Sequence, residues 1–190
     1  MNLPNRLTLS RLVLTLFFLI ALFVPVPFHD TVALLLFGAA SLTDYFDGKI
    51  ARRDKLITNF GILMDPLADK ILICSAFIAF IERGWISSWM VIVIVARELA
   101  ITGLRLLASS KHVVLAAERY GKHKTISQIT ATISILVLAS YPAWGHWASV
   151  LFGFWVPAFT SIATWVAVVL TMSSGGLYLW RNRALFLEDK

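Results

Sequence analysis

Six runs of mostly apolar residues recur along the chain: Leu12 to Phe28, Thr31 to about Ile50, Leu63 to Ile81, Trp85 to about Leu107, Thr125 to Tyr141, and Ala158 to Trp180. Each is roughly 17 to 25 residues long, the length an α-helix needs to cross a hydrocarbon core. The pattern predicts an all-α integral membrane protein with six transmembrane helices. Before the first run, Asn2 to Arg11 alternates Leu3, Leu7 and Leu9 with polar residues, as a short amphipathic helix lying in the membrane interface would. Basic residues followed by an apolar run also open a signal peptide, but this run ends in Val24-Pro25-Val26-Pro27-Phe28 without a small-residue cleavage site, so a retained first span is expected. No repeat, low-complexity stretch or long linker divides the chain. A single domain over residues 1–190 is expected, with 1–11 as the interfacial helix and 181–190 as a tail.

Composition strengthens this picture. Of the 190 residues 58% are hydrophobic and 15% charged, against about 25% charged in an ordinary soluble domain, and the mean hydropathy is +0.78. A soluble globule of this size has too little interior for that much apolar surface. Cys74 is the sole cysteine, which excludes an intrachain disulfide scaffold. The net charge of +6 could suggest nucleic acid, but the placement of the charges argues against it. The connections Val24 to Asp30 and Tyr141 to Pro157 carry no Lys or Arg, and Arg83 stands alone between the third and fourth runs; the other 16 of the 17 basic residues lie on the opposite side or in the spans leading to it. By the positive-inside rule both termini are expected in the cytoplasm, and the basic excess is expected to meet anionic headgroups rather than nucleic acid. Trp85, Trp89, Trp144, Trp147 and Trp155 would form the outer aromatic belt, with Trp180 at the inner interface.

Ionisable residues within apolar spans are functional candidates, because a carboxylate at a helix centre costs roughly 2.5 to 3.5 kcal/mol. Asp44 and Asp47 are spaced i, i+3 near the end of the second run, and Asp65 and Asp69 i, i+4 at the start of the third. Either spacing puts both carboxylates on one helix face. Antiparallel spans joined by the short turn Lys49 to Asn59 would bring both pairs to one depth, where four carboxylates would repel unless cations held them. Two divalent ions balance the four charges, and an all-oxygen ligand set suits Mg²⁺ or Mn²⁺. Gly48 and Gly61 remove side chains beside the carboxylates so that a bulky ligand can approach the backbone. Arg52 offers a planar fork for phosphate oxygens. Pro66 fits the first turn of a helix capped by Asp65.

Asp44, Asp47, Gly48, Ala51, Arg52, Gly61, Asp65 and Asp69 together read Asp-x-x-Asp-Gly-x-x-Ala-Arg-x8-Gly-x3-Asp-x3-Asp. This segment resembles the signature of the CDP-alcohol phosphotransferase family at every specified position. The resemblance implies that Asp44, Asp47, Asp65 and Asp69 hold a two-metal centre, that Asp69 is the general base, and that Gly48, Arg52 and, by position, Thr58 contact the CDP moiety, with Ala51 and Gly61 in the same donor-binding register. It also implies a homodimer.

The rest of the chain bears on the acceptor. Glu98, Thr102 and Arg105 share a stripe on the fourth span, with Arg97 about 100° away from Glu98, and Gly121-Lys122-His123-Lys124-Thr125 leads into the fifth. Arg105, Lys122 and Lys124 are expected near the inner interface, where they could grip a small phosphate-bearing anion. The strings Asn2 to Arg11, Ala96-Arg97-Glu98 and Gly121 to Gln128 resemble bacterial members of the family that act on glycerol 3-phosphate with CDP-diacylglycerol as donor. That narrower resemblance adds Asn5 and Thr8 to the nucleotide contacts and implies a bacterial cytoplasmic membrane, with the site on its cytoplasmic side. Two other readings stand beside it: a family member using another acceptor, as in phosphatidylserine or cardiolipin synthesis, and a divalent-cation carrier with a carboxylate cage.

Overall fold

The computed structural model describes residues 3–54, 59–110 and 120–183, with side chains described at 8–43, 67–68, 70–108 and 123–183. Every regular element among them is helical: α1 (Leu3–Phe23), α2 (His29–Asp54), α3 (Asn59–Glu82), α4 (Ser88–Ser110), α5 (Tyr120–Ser140), a single 3₁₀ turn (Tyr141–Trp144), α6 (His146–Gly153) and α7 (Val156–Arg181). Each of the six apolar runs falls on one of the long helices.

Local chemistry explains the breaks. Pro25 and Pro27 lack the N–H that would continue α1 and push the residues before them toward extended backbone, so the helix stops at Phe23 rather than Phe28. Asp30 lies in the first turn of α2, where the helix dipole favours a negative charge. Gly84, at φ 69°, turns the chain between α3 and α4. Pro157 occupies the first turn of α7, where its missing N–H costs nothing.

Two expectations are corrected. The chain is helical without a break from Leu3 to Phe23, so no separate interfacial helix ends at Arg11. The inward stripe explains this: Thr8, Arg11, Thr15, Phe18 and Leu22 are all buried at heptad spacing, so one face runs through both segments. Asp65 is not a helix cap, because α3 begins six residues earlier at Asn59. The connection from Tyr141 to Pro157, on whose structure the sequence pattern is silent, carries the short helix α6, which packs on the 3₁₀ turn and on α7.

Helix α1 packs on both α2 and α3, α5 on α7 and α2, and α4 on α7 and α3. The core of Phe18, Leu22, Phe37, Phe77, Phe80, Ile94, Ile135, Leu136 and Val168 occupies the middle and one end of the bundle. That end also holds three connections. Arg83 donates to Asp30 at 3.2 Å, and Trp144 Nε1 donates to Thr31 Oγ1 at 2.8 Å. Toward the other end the buried residues turn polar: Thr8, Arg11, Glu98, Lys124, Gln128, Thr171 and Ser174.

Outward faces are strongly apolar. Leu16, Phe17, Leu35, Ile92, Leu99, Leu106, Ile162 and Val169 are exposed, more than a soluble monomer ordinarily shows. His123–Trp144 and Val156–Arg181 are long and apolar enough to cross a membrane, and Thr8–Phe23 and His29–Thr43 are shorter apolar segments. Hydroxyls within the helices satisfy themselves locally, as where Thr15, Thr132 and Thr164 donate to the carbonyls of Arg11, Gln128 and Thr160. That arrangement suits a medium offering no water.

Candidate active site

Both acidic pairs lie within helices, Asp44 and Asp47 on α2 and Asp65 and Asp69 on α3. The two helices leave the shared loop end in opposite chain directions. At 1.5 Å per residue, Asp44 and Asp69 lie roughly 22 and 20 Å from that end, and Asp47 and Asp65 roughly 27 and 26 Å. The backbone register thus matches Asp44 with Asp69 in depth, and Asp47 with Asp65. Gly48, Ala51 and Arg52 continue α2 beyond the first pair, and Gly61 precedes the second on α3. Asn5 is in the first turns of α1. The side chains of Asn5, Asp44, Asp47, Ala51, Arg52, Asp65, Asp69 and Lys122 lie outside the described ones, and Thr58 lies outside the described residues altogether. Four aspartates whose backbones lie at paired depths would supply hard oxygen donors of the kind that Mg²⁺ or Mn²⁺ takes. Among the described residues no group of three or more His, Cys, Asp or Glu side chains gathers.

Thr8 is buried on the inward stripe of α1. One turn further on, Arg11 is 0% exposed. Sequence reasoning counted Arg11 only as one more inside-positive charge. Its signal was its place on the stripe continued by Thr15, Phe18 and Leu22, which turns a terminal basic residue into a buried one.

The three basic residues expected at the acceptor site stand in different surroundings. Arg105 is exposed, its guanidinium 5.8 Å from the ring centroid of Tyr178 on α7. Lys122 is in the first turn of α5. Lys124 is 5% exposed, and its Nζ donates to Oε1 of Glu98, itself 5% exposed on α4. The same Oε1 accepts from Arg97 Nη1 at 3.1 Å. Although helix geometry sends Arg97 and Glu98 off in directions about 100° apart, the long Arg97 side chain folds back to its neighbour. Arg97 Nη2 also reaches Ser174 Oγ on α7 at 3.5 Å, and Gln128 Nε2 donates to Thr171 Oγ1 at 3.1 Å. The lone carboxylate in the apolar fourth run was the sequence signal for this network, since a buried charge requires a partner.

A groove of about 510 Å³ between α1 and α3 is lined by Leu19, Phe23, Ser75, Ile78, Ala79, Ile81 and Glu82. It lies at the end opposite the acidic pairs and is too apolar to take a nucleotide or sugar phosphate.

An all-helical bundle that carries the eight signature positions on α2 and α3 agrees with the family resemblance. The chain belongs to the CDP-alcohol phosphatidyltransferase family, whose model matches residues 1–173. It is 40% identical, over 95% of each chain, to the CDP-diacylglycerol–glycerol-3-phosphate 3-phosphatidyltransferase of Bacillus subtilis (strain 168). Proteins of the same name from Shigella flexneri serotype 5b (strain 8401) and Rickettsia bellii (strain RML369-C) are 34% and 33% identical, covering 99% and 93% of this chain and 98% and 93% of their own lengths.

Proposed function

We propose that this protein transfers the phosphatidyl group of CDP-diacylglycerol to glycerol 3-phosphate, forming phosphatidylglycerophosphate and releasing CMP. The observation that carries this reading is the intact eight-position signature from Asp44 to Asp69 on a chain alignable almost end to end with relatives bearing that activity's name. Members of the family depend in general on divalent metal. Two ions, Mg²⁺ or Mn²⁺, held by Asp44, Asp47, Asp65 and Asp69, would neutralise the donor's diphosphate and the departing CMP.

The chain's own residues do the rest. Asn5, Thr8, Gly48, Ala51, Arg52, Thr58 and Gly61 seat the CDP group, the glycines by leaving room for close approach and Arg52 by a forked contact to phosphate oxygens. Arg105, Lys122 and Lys124 hold the acceptor's phosphate. The acceptor hydroxyl oxygen bonds to the phosphatidyl phosphorus, the bond from that phosphorus to the CMP oxygen breaks with its electron pair leaving on CMP, and Asp69 takes the hydroxyl proton.

The same reading makes the chain one domain over residues 1–190, with six transmembrane helices (α1 to α5 and α7) and both termini and the active site on the cytoplasmic side of a bacterial inner membrane. The apolar exposed faces of these helices and the one-sided basic residues support it. It acts as a homodimer among membrane lipids. The test is acceptor choice: purified protein with CDP-diacylglycerol and Mg²⁺ should release CMP with glycerol 3-phosphate, and not with serine or phosphatidylglycerol. Turnover with serine alone would replace this acceptor, and metal flux without CMP release would make the chain a carrier.

A further inference from the structure

The buried chain Arg97–Glu98–Lys124 has a part in the transfer described above only through Lys124, and Arg97 and Glu98 have none. It joins three helices: Glu98 on α4 receives Lys124 from α5 and Arg97 from its own helix, and Arg97 reaches Ser174 on α7. Gly175 makes the last contact possible, because a Cβ there would sit 2.6 Å from Arg97 Cγ. The three groups sum to one positive charge. As a device for stability alone such a network is poor, since replacing buried ion pairs by apolar residues of similar volume is often neutral or stabilising. A flexible four-carbon ammonium, however, gains direction when a carboxylate is fixed beside it. Arg97 offsets the negative charge that this carboxylate brings, so the site stays attractive to an anion.

We propose that Glu98 is a positioning residue for the acceptor, acting through Lys124, with Arg97 anchoring Glu98 to α7. This rests on the reading of glycerol 3-phosphate as acceptor. Glu98 does not touch substrate. It sets where the Lys124 ammonium stands relative to the acceptor's phosphate, and the donor is untouched by it.

The test is steady-state kinetics in mixed micelles with Mg²⁺, varying glycerol 3-phosphate and CDP-diacylglycerol separately. In Glu98→Gln the KM for glycerol 3-phosphate should rise about tenfold or more, the scale of a lost charge-assisted hydrogen bond, with the KM for CDP-diacylglycerol within about twofold of wild type. Lys124→Gln should do the same, and the double variant should be no worse than the worse single, because one residue acts through the other. Glu98→Asp, which keeps the charge one methylene shorter, should fall between wild type and Glu98→Gln, and it decides the matter if Glu98→Gln does not fold. An unchanged or lowered KM for glycerol 3-phosphate in the Glu98 variants, an equal rise for both substrates, or additive effects in the double variant would overturn the proposal. Wild-type protein that does not use glycerol 3-phosphate would overturn the acceptor reading itself, whereas normal wild-type turnover with a normal Glu98→Gln overturns only the role of Glu98.

Discussion

Arg83 Nη2 donates to both carboxylate oxygens of Asp30, at 3.2 and 3.4 Å, tying the end of α3 to the start of α2. Arg83 is the one basic residue that the charge pattern puts on the side otherwise free of them. Its guanidinium also lies 4.7 Å from the Trp85 ring centroid. The exception to the positive-inside pattern is thus a paired charge, which weakens it as an orientation signal.

Sidedness follows. With Cys74 replaced by Ala, Pro27→Cys and Trp144→Cys should react with a membrane-impermeant maleimide in intact cells, and cysteines at residue 2 or 190 only after permeabilisation. Labelling of a terminal cysteine in intact cells would overturn the even number of spans. Arg83→Ala should leave the pattern unchanged, because the basic residues at the other end remain.

Activity should vanish in saturating EDTA and return with Mg²⁺ or Mn²⁺. Asp44→Asn, Asp47→Asn and Asp65→Asn should each lose metal-dependent CDP binding together with turnover. Asp69→Asn should lose about 10²- to 10⁴-fold in kcat, the usual contribution of a general base, while keeping measurable CDP binding. Isothermal titration with CDP distinguishes them, and equal loss of CDP binding in all four would make Asp69 only another ligand.

Arg105→Gln and Lys122→Gln should each raise the KM for glycerol 3-phosphate by about 10- to 150-fold, equivalent to roughly 1.5 to 3 kcal/mol. Binding of CDP in the presence of metal should survive in both. Normal acceptor KM with loss of CDP-diacylglycerol binding would assign the basic cluster to the donor headgroup.

Two neighbouring glycines on α7 should respond oppositely to alanine. Gly175→Ala drives a methyl into Arg97 Cγ, an overpacking worth about 1 to 3 kcal/mol, and should lower Tm. At Gly176 a Cβ meets nothing within 4 Å, so Gly176→Ala should be neutral or stabilising by up to about 1 kcal/mol from helix propensity. Thermal unfolding in detergent reads both, and a stabilised Gly175→Ala would contradict the close packing of Arg97 on α7.

Whatever depends on one helix at a time was legible in the sequence. The apolar runs located the six long helices, because the length and composition of a segment suffice for backbone hydrogen bonds that close within it. The spacing of Asp44 with Asp47 and of Asp65 with Asp69 likewise put each pair on a helical face, whereas the first run extends through Pro25 and Pro27 to Phe28 while the helix ends at Phe23. Helix ends were less legible: the amphipathic opening merges into α1 because its stripe is buried, and α6, packed on the 3₁₀ turn and α7, forms in a connection too short to read as a span. Tertiary structure alone decided the pairings between distant segments. Lys124 meets Glu98 across 26 positions of sequence, Arg97 meets Ser174 across 77, and Arg83 meets Asp30 across 53. Periodicity defines the faces of each helix but not which neighbour a face meets or at what depth, since that depends on all the helices packing together.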